Sequence, residues 1–151
     1  MNFKYKFASI IKIKQSLEKK AQKEVAVVDL QIDQVKLELE KLQNILKALR
    51  INIGEQRAIK AAEIHHIHKY EEYLANERKM LEKKLDDLEK LRIVKLEDLQ
   101  EKQKEHKMFE TMEGKHFAAY TIESNRLDQI SMDEIASQKF SRAKVSQGEA
   151  Q

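Results

Sequence analysis

The sequence predicts an all-α protein: two long helices in an antiparallel coiled-coil hairpin, with a C-terminal helical overhang. Three observations predict it. Apolar residues at Val25, Val28, Ile32, Val35, Leu39, Leu42, Leu46, Leu49 and Ile53 are separated by alternating steps of three and four. That is the period of a coiled-coil seam, about 3.5 residues, whereas a strand would alternate by two. The 151-residue chain has no Pro and only three Gly, so little in it turns or breaks a helix. A second column, Ile67, Leu74, Leu81 and Leu88, repeats every seven residues beyond Gly54.

Helix one is expected over about 9–53. Phe3, Phe7, Ile10 and Leu17 already step at helical spacing, and Ser9 is placed to cap before Ile10. The core steps from Leu17 to Ala21 to Val25 are four and four, an inserted step that locally unwinds a supercoil. Gly54 and the fading seam place the bend at about 54–63. Helix two is expected over about 64–143. The companion to its leucine column is poorer (Glu71, Arg78, Leu85, Arg92), with the Arg stems covering apolar surface. A second four-and-four step runs Leu88, Arg92, Leu96.

If the two irregular steps face one another, Ala21 lies level with Arg92 and the fold-back midpoint falls near residues 56 and 57. This register sets Val25 against Leu88, Leu46 against Ile67 and Ile53 against Lys60. It also sets Phe7 against His106 and Phe3 against Glu110, where Met108, Phe109 and Met112 would complete an apolar base. Helix one runs out near Gly114, leaving 115–143 as the overhang and 146–151 as a frayed tail. The whole chain, 1–151, reads as a single elongated domain, with only 6% aromatic residues for a compact core.

Several function classes fit poorly. The net charge of +3 arises from 29 basic and 26 acidic residues mixed along the helix faces, which describes a solvated surface rather than the concentrated basic face of a nucleic-acid binder. No Cys is present, so disulfides and thiolate chemistry are excluded. No apolar run approaches the roughly 18 residues of a membrane span, and the short core of Met1 to Lys14 is unlike a signal segment; a cytoplasmic protein is expected. There is no Gly-rich phosphate loop and no nucleophile–base arrangement. We read a non-enzyme without cofactors. His65, His68 and Glu72 share a helix face and have the donor types for a divalent ion, but no second cluster closes a site, and solvated residues near a hairpin tip are the stronger reading.

With Val25 and Val28 as seam positions a and d, Leu30, Leu37 and Ile51 fall at f, opposite the seam, and Ile45 at g. An f column is usually polar. These residues are either scattered surface apolars or a partner face. Tyr73 and Met80, seven apart and off the leucine column, are of types enriched at interfaces.

In the overhang, Arg126-Leu127-Asp128 followed by Met132-Asp133-Glu134-Ile135-Ala136 resembles the C-terminal signature of the FliJ family of the flagellar type III export apparatus. Lys23-Glu24-Val25 is similar to the family's start of helix one. Tyr70-Glu71-Glu72-Tyr73-Leu74, followed by Leu81, is similar to the start of its helix two. Before the hairpin tip the spacing is this chain's own.

The resemblance implies a stalk in the centre of a hexameric export ATPase. It also implies contact with the export gate, a membrane protein, and the handling of export chaperones. The location implied is the cytoplasmic face of the inner membrane at the flagellar base. On that basis Arg126, Leu127, Asp128, Ile130, Met132, Asp133, Glu134 and Ile135 are expected to bind the ATPase. Ile45, Leu49, Tyr73 and Met80 are expected to face the gate. The isolated chain is expected to be a monomer, with no nucleic acid among its partners. The alternative is a generic homodimeric coiled-coil adaptor in which helix one pairs between chains.

Overall fold

The computed structural model describes residues 3–56 and 58–148, with side chains as far as residue 145. The protein is all-α, and no strand occurs among the described residues. Helix α1 spans Ala8–Glu55 and α2 spans Ala61–Gly148. The connection is therefore residues 56–60, shorter than the expected bend, and α2 continues past the expected end near 143. The expected frayed tail overlaps α2 as far as Gly148; its last three residues lie outside those described.

The helix ends correct the expected caps. The first i→i+4 bond of α1 runs from the Ile11 N–H to the Phe7 carbonyl (3.1 Å), so Phe7 holds the N-cap position and Ser9 lies inside the first turn. Gly54 sits within the last turn of α1, and no described Gly has a positive φ. At α2 the Lys60 carbonyl accepts from the N–H of Ile64 (3.1 Å), while the Lys60 N–H donates to Glu63 Oε2 (3.4 Å). Glu63 thus closes the back-bonding half of a capping box and adds a negative charge where the helix dipole favours one.

The chain forms two compact units: Ser16–Gln103, and Met1–Gln15 with Lys104–Gln151. In the first, the two helices pair along the predicted α1 seam. Ala21, Val25, Val28, Ile32, Val35 and Leu42 are buried. Among the described residues of α2 only Leu74 is buried to the same degree; Ile67, Leu81, Leu85 and Leu88 are half-buried. The weaker companion column accounts for the asymmetry.

The register is not the expected one. Glu24 pairs with Lys95 (2.7 Å), and Asp29 with Arg92. These residue numbers total 119 and 121, against 113 for the expected pairing of Val25 with Leu88. The second unit agrees with the new register, since Lys14 pairs with Glu105 (2.6 Å). The helices are offset by about one heptad from the expectation. A shift of seven residues returns every seam position to a seam position, so the apolar pattern alone is almost degenerate between the two registers.

The irregular steps that chose the wrong register also fall away. Leu17 is 38% exposed, and half-buried Glu18 occupies the place next to Ala21. Steps of three and four therefore continue through a charged residue. On α2, half-buried Lys95 follows Arg92 in the same way. Long charged side chains hold seam positions with their stems inside and their heads at the edge. Arg78 does not; it is exposed and pairs with Glu82 along its own helix.

The Glu24–Lys95 pair gives a test of register. Hydrogen bonding from Lys95 holds the Glu24 carboxyl below its ordinary value of 4.5, and the same bond raises Lys95. A depressed carboxylate contributes stability above its unfolded pKa and loses it as pH falls through the folded one. Both side chains are about a third exposed, so the effect is small. Glu24→Lys should lower the melting temperature near neutral pH, Lys95→Glu should do the same, and the double reversal should restore it. The gap between wild type and Glu24→Gln should close on acidification below 4.5. In the expected register Glu24 lies level with Glu89, and Glu24→Lys would instead raise the melting temperature.

In the second unit, an aromatic cluster replaces the expected base. Phe3 meets Phe117 edge-on at 5.3 Å and Tyr120 at 5.3 Å, while Tyr5 meets Phe7 at 5.7 Å and His116 at 5.6 Å. The partners lie about a heptad beyond Met108, Phe109 and Met112, the same offset as the ion pairs.

Candidate docking surfaces

Beyond the aromatic cluster, the large apolar side chains of α2 are exposed: Ile122 71%, Met132 70%, Phe140 65%. Leu127, Ile130, Ile135 and Val145 are also exposed. At about 100° per residue these seven residues point all round the helix, and no arc wider than ~80° lacks one. The segment therefore has no single apolar face of the kind that docks in an open groove. The eight residues expected at the ATPase likewise encircle the helix. Arg126 is engaged locally: Nη2 donates to Glu123 Oε1 (2.7 Å) and Nε to Oε2 (3.0 Å), which holds the Glu123 carboxyl below its ordinary range. Asp128, Asp133 and Glu134 make no ion pair among the described residues.

Nearer the connection, in the Ser16–Gln103 unit, Ile45, Tyr73 and Met80 are exposed (45%, 57% and 66%). Leu49 is half-buried and contributes to the seam. Tyr73 precedes the buried Leu74, so it projects from the flank of α2 rather than from its outer ridge. Sequence reasoning overlooked Tyr70 as a member of this set. It is 43% exposed, with its ring stacked on that of Tyr73 at 6.4 Å and 17°. Their i,i+3 spacing was the available signal.

Two other features complete the surface. Leu30, Leu37 and Ile51 are 64%, 56% and 62% exposed along the outer ridge of α1. On the flank, Val27 and Leu91 line an open groove of ≈370 Å³ together with Lys20, Lys23, Glu24, Val28, Gln31 and Lys95. The histidine-rich stretch gathers no metal set: among the described residues no group of three or more His, Cys, Asp or Glu is placed to hold an ion. No described helix is long and apolar enough to cross a membrane.

The family described as flagellar FliJ protein matches residues 3–145. No curated protein and no solved structure matches.

Proposed function

Because the chain belongs to the FliJ family of flagellar export-related proteins, we propose that it is a non-enzymatic stalk of the flagellar type III export apparatus. In this reading its terminal end occupies the centre of a hexameric export ATPase and its tip meets the export gate. It works at the cytoplasmic face of the membrane at the flagellar base. Contact with both partners couples ATP hydrolysis to export, and export chaperones bind the same molecule.

The observation that carries the reading is the exposed apolar girdle of α2 beyond Tyr120. Large apolar side chains exposed on several sides of an otherwise polar helix are all covered at once only by a partner that surrounds it. The central channel of a ring surrounds it; an open groove covers one face only. Charges interspersed at Arg126, Asp128, Asp133 and Glu134 keep the free segment hydrated before it is enclosed. At the other end, Tyr70, Tyr73, Met80 and Ile45 offer aromatic and Met side chains of the kind that anchor interfaces. The α1 seam is filled by α2 of the same chain, which favours the hairpin over the homodimeric adaptor.

Replacing Tyr73 and Met80 together by Ala separates the two ends. Swimming-halo diameter and secretion of flagellar substrates should fall sharply, with the purified variant still pelleting with the export ATPase. Normal motility would assign these side chains to scattered surface apolars and remove the tip from the proposal.

A further inference from the structure

We propose that the Val27–Leu91 groove is a docking site for an acidic amphipathic helix of a partner protein. The proposal is independent of the stalk reading. Val27 is 54% and Leu91 41% exposed, one on each helix, and buried Val28 forms the floor between them. Leu30 and Val94, 64% and 58% exposed, extend the apolar patch outward on each side.

The rim decides the occupant. Lys95 is paired with Glu24 and also feels Asp98, so that part of the rim is neutralised. Lys20 and Lys23 make no close ion pair among the described residues, and Glu24 is the one acid among the three Lys that line the groove, shared between Lys95 and the longer-range charge of Lys20, so the border of the apolar floor is net positive. A helix with two apolar side chains three or four residues apart fills the groove, and carboxylates on its flanks meet these lysines. The groove is open along its length and lies between two helices, which suits a third helix better than an extended strand, since no sheet edge is available for backbone pairing.

The test uses the full chain and a fluorescein-labelled, hydrocarbon-stapled peptide of about five turns, ~18 residues, with Leu at alternating steps of three and four and Glu on both flanks. The comparison peptide carries Lys in place of Glu. Fluorescence anisotropy should show the acidic peptide binding at least about tenfold more tightly than the basic one. Val27→Ser and Leu91→Ser should each weaken binding about fivefold or more, with unchanged circular dichroism. The Lys20→Glu, Lys23→Glu double variant should invert the preference.

Equal binding of both peptides, or indifference to Val27→Ser, would overturn the proposal. So would a Val27-dependent dimer in sedimentation, which would make a second copy of this chain the occupant. Binding to phosphatidylglycerol vesicles without peptide discrimination would give the patch to lipid instead and overturn it equally.

Discussion

Leu74→Ala should lower the melting temperature by roughly 5–15 °C, corresponding to the ~2–5 kcal/mol typical of a buried Leu truncated to Ala. Leu74 is 4% exposed and, among the described residues of α2, the one as deeply buried as the α1 seam. The half-buried leucines around it cannot close the space left by its removal without moving an entire helix. Met80→Ala, six residues further along the same helix at 66% exposure, should change stability by no more than about 0.5 kcal/mol. Thermal unfolding followed at 222 nm compares them directly. Equal losses would mean that α2 turns a different face to α1. The near-neutrality of Met80→Ala also makes that variant suitable for the export test, because a motility defect would then not arise from unfolding.

Removing residues 122–151 should abolish stimulation of the cognate export ATPase while leaving the rest of the molecule folded. The cut follows the aromatic cluster, so Phe117 and Tyr120 keep their contacts with Phe3. It takes away every side chain of the exposed girdle and costs only the helical signal of those residues. Hydrolysis measured with increasing amounts of full-length and shortened chain should rise only with the former. If the shortened chain stimulates as well as the full one, the overhang is not the part the ring holds.

The two-helix plan was legible because the α1 seam repeats without a gap and the chain offers nothing to break a helix. Val25, Val28, Ile32, Val35 and Leu42 are buried as their spacing requires. Register was not legible, for a physical reason: heptads are periodic, and a shift of seven residues leaves the apolar seam intact. The Glu24–Lys95 and Lys14–Glu105 pairs distinguish the registers, and reading only apolar residues passed over them. Glu18 and Lys95 were missed as seam positions for the same reason, and two apparent irregularities were inferred where the rhythm in fact continues through charge.

The candidate surfaces were legible in part. Met80 and Tyr73 stood out by lying off the leucine column, whereas Leu49, a seam residue, could not be separated from the core by type. The Val27–Leu91 groove needed both helices in their observed register before its walls came together, so nothing in the linear sequence pointed to it. In the overhang, the motif resemblance singled out the segment that is proposed to meet the ATPase. Only helix phase together with exposure showed that its apolar residues surround the axis.

The central claim, a stalk held by the ATPase at one end and touching the gate at the other, is tested most directly by site-specific photocrosslinking in assembled export apparatus. A photoreactive phenylalanine analogue in place of Ile130 should crosslink to the export ATPase, and the same group in place of Met80 should crosslink to the export-gate membrane protein. Crosslinks from both positions to one partner, exchanged partners, or crosslinks only between copies of this chain would contradict the account.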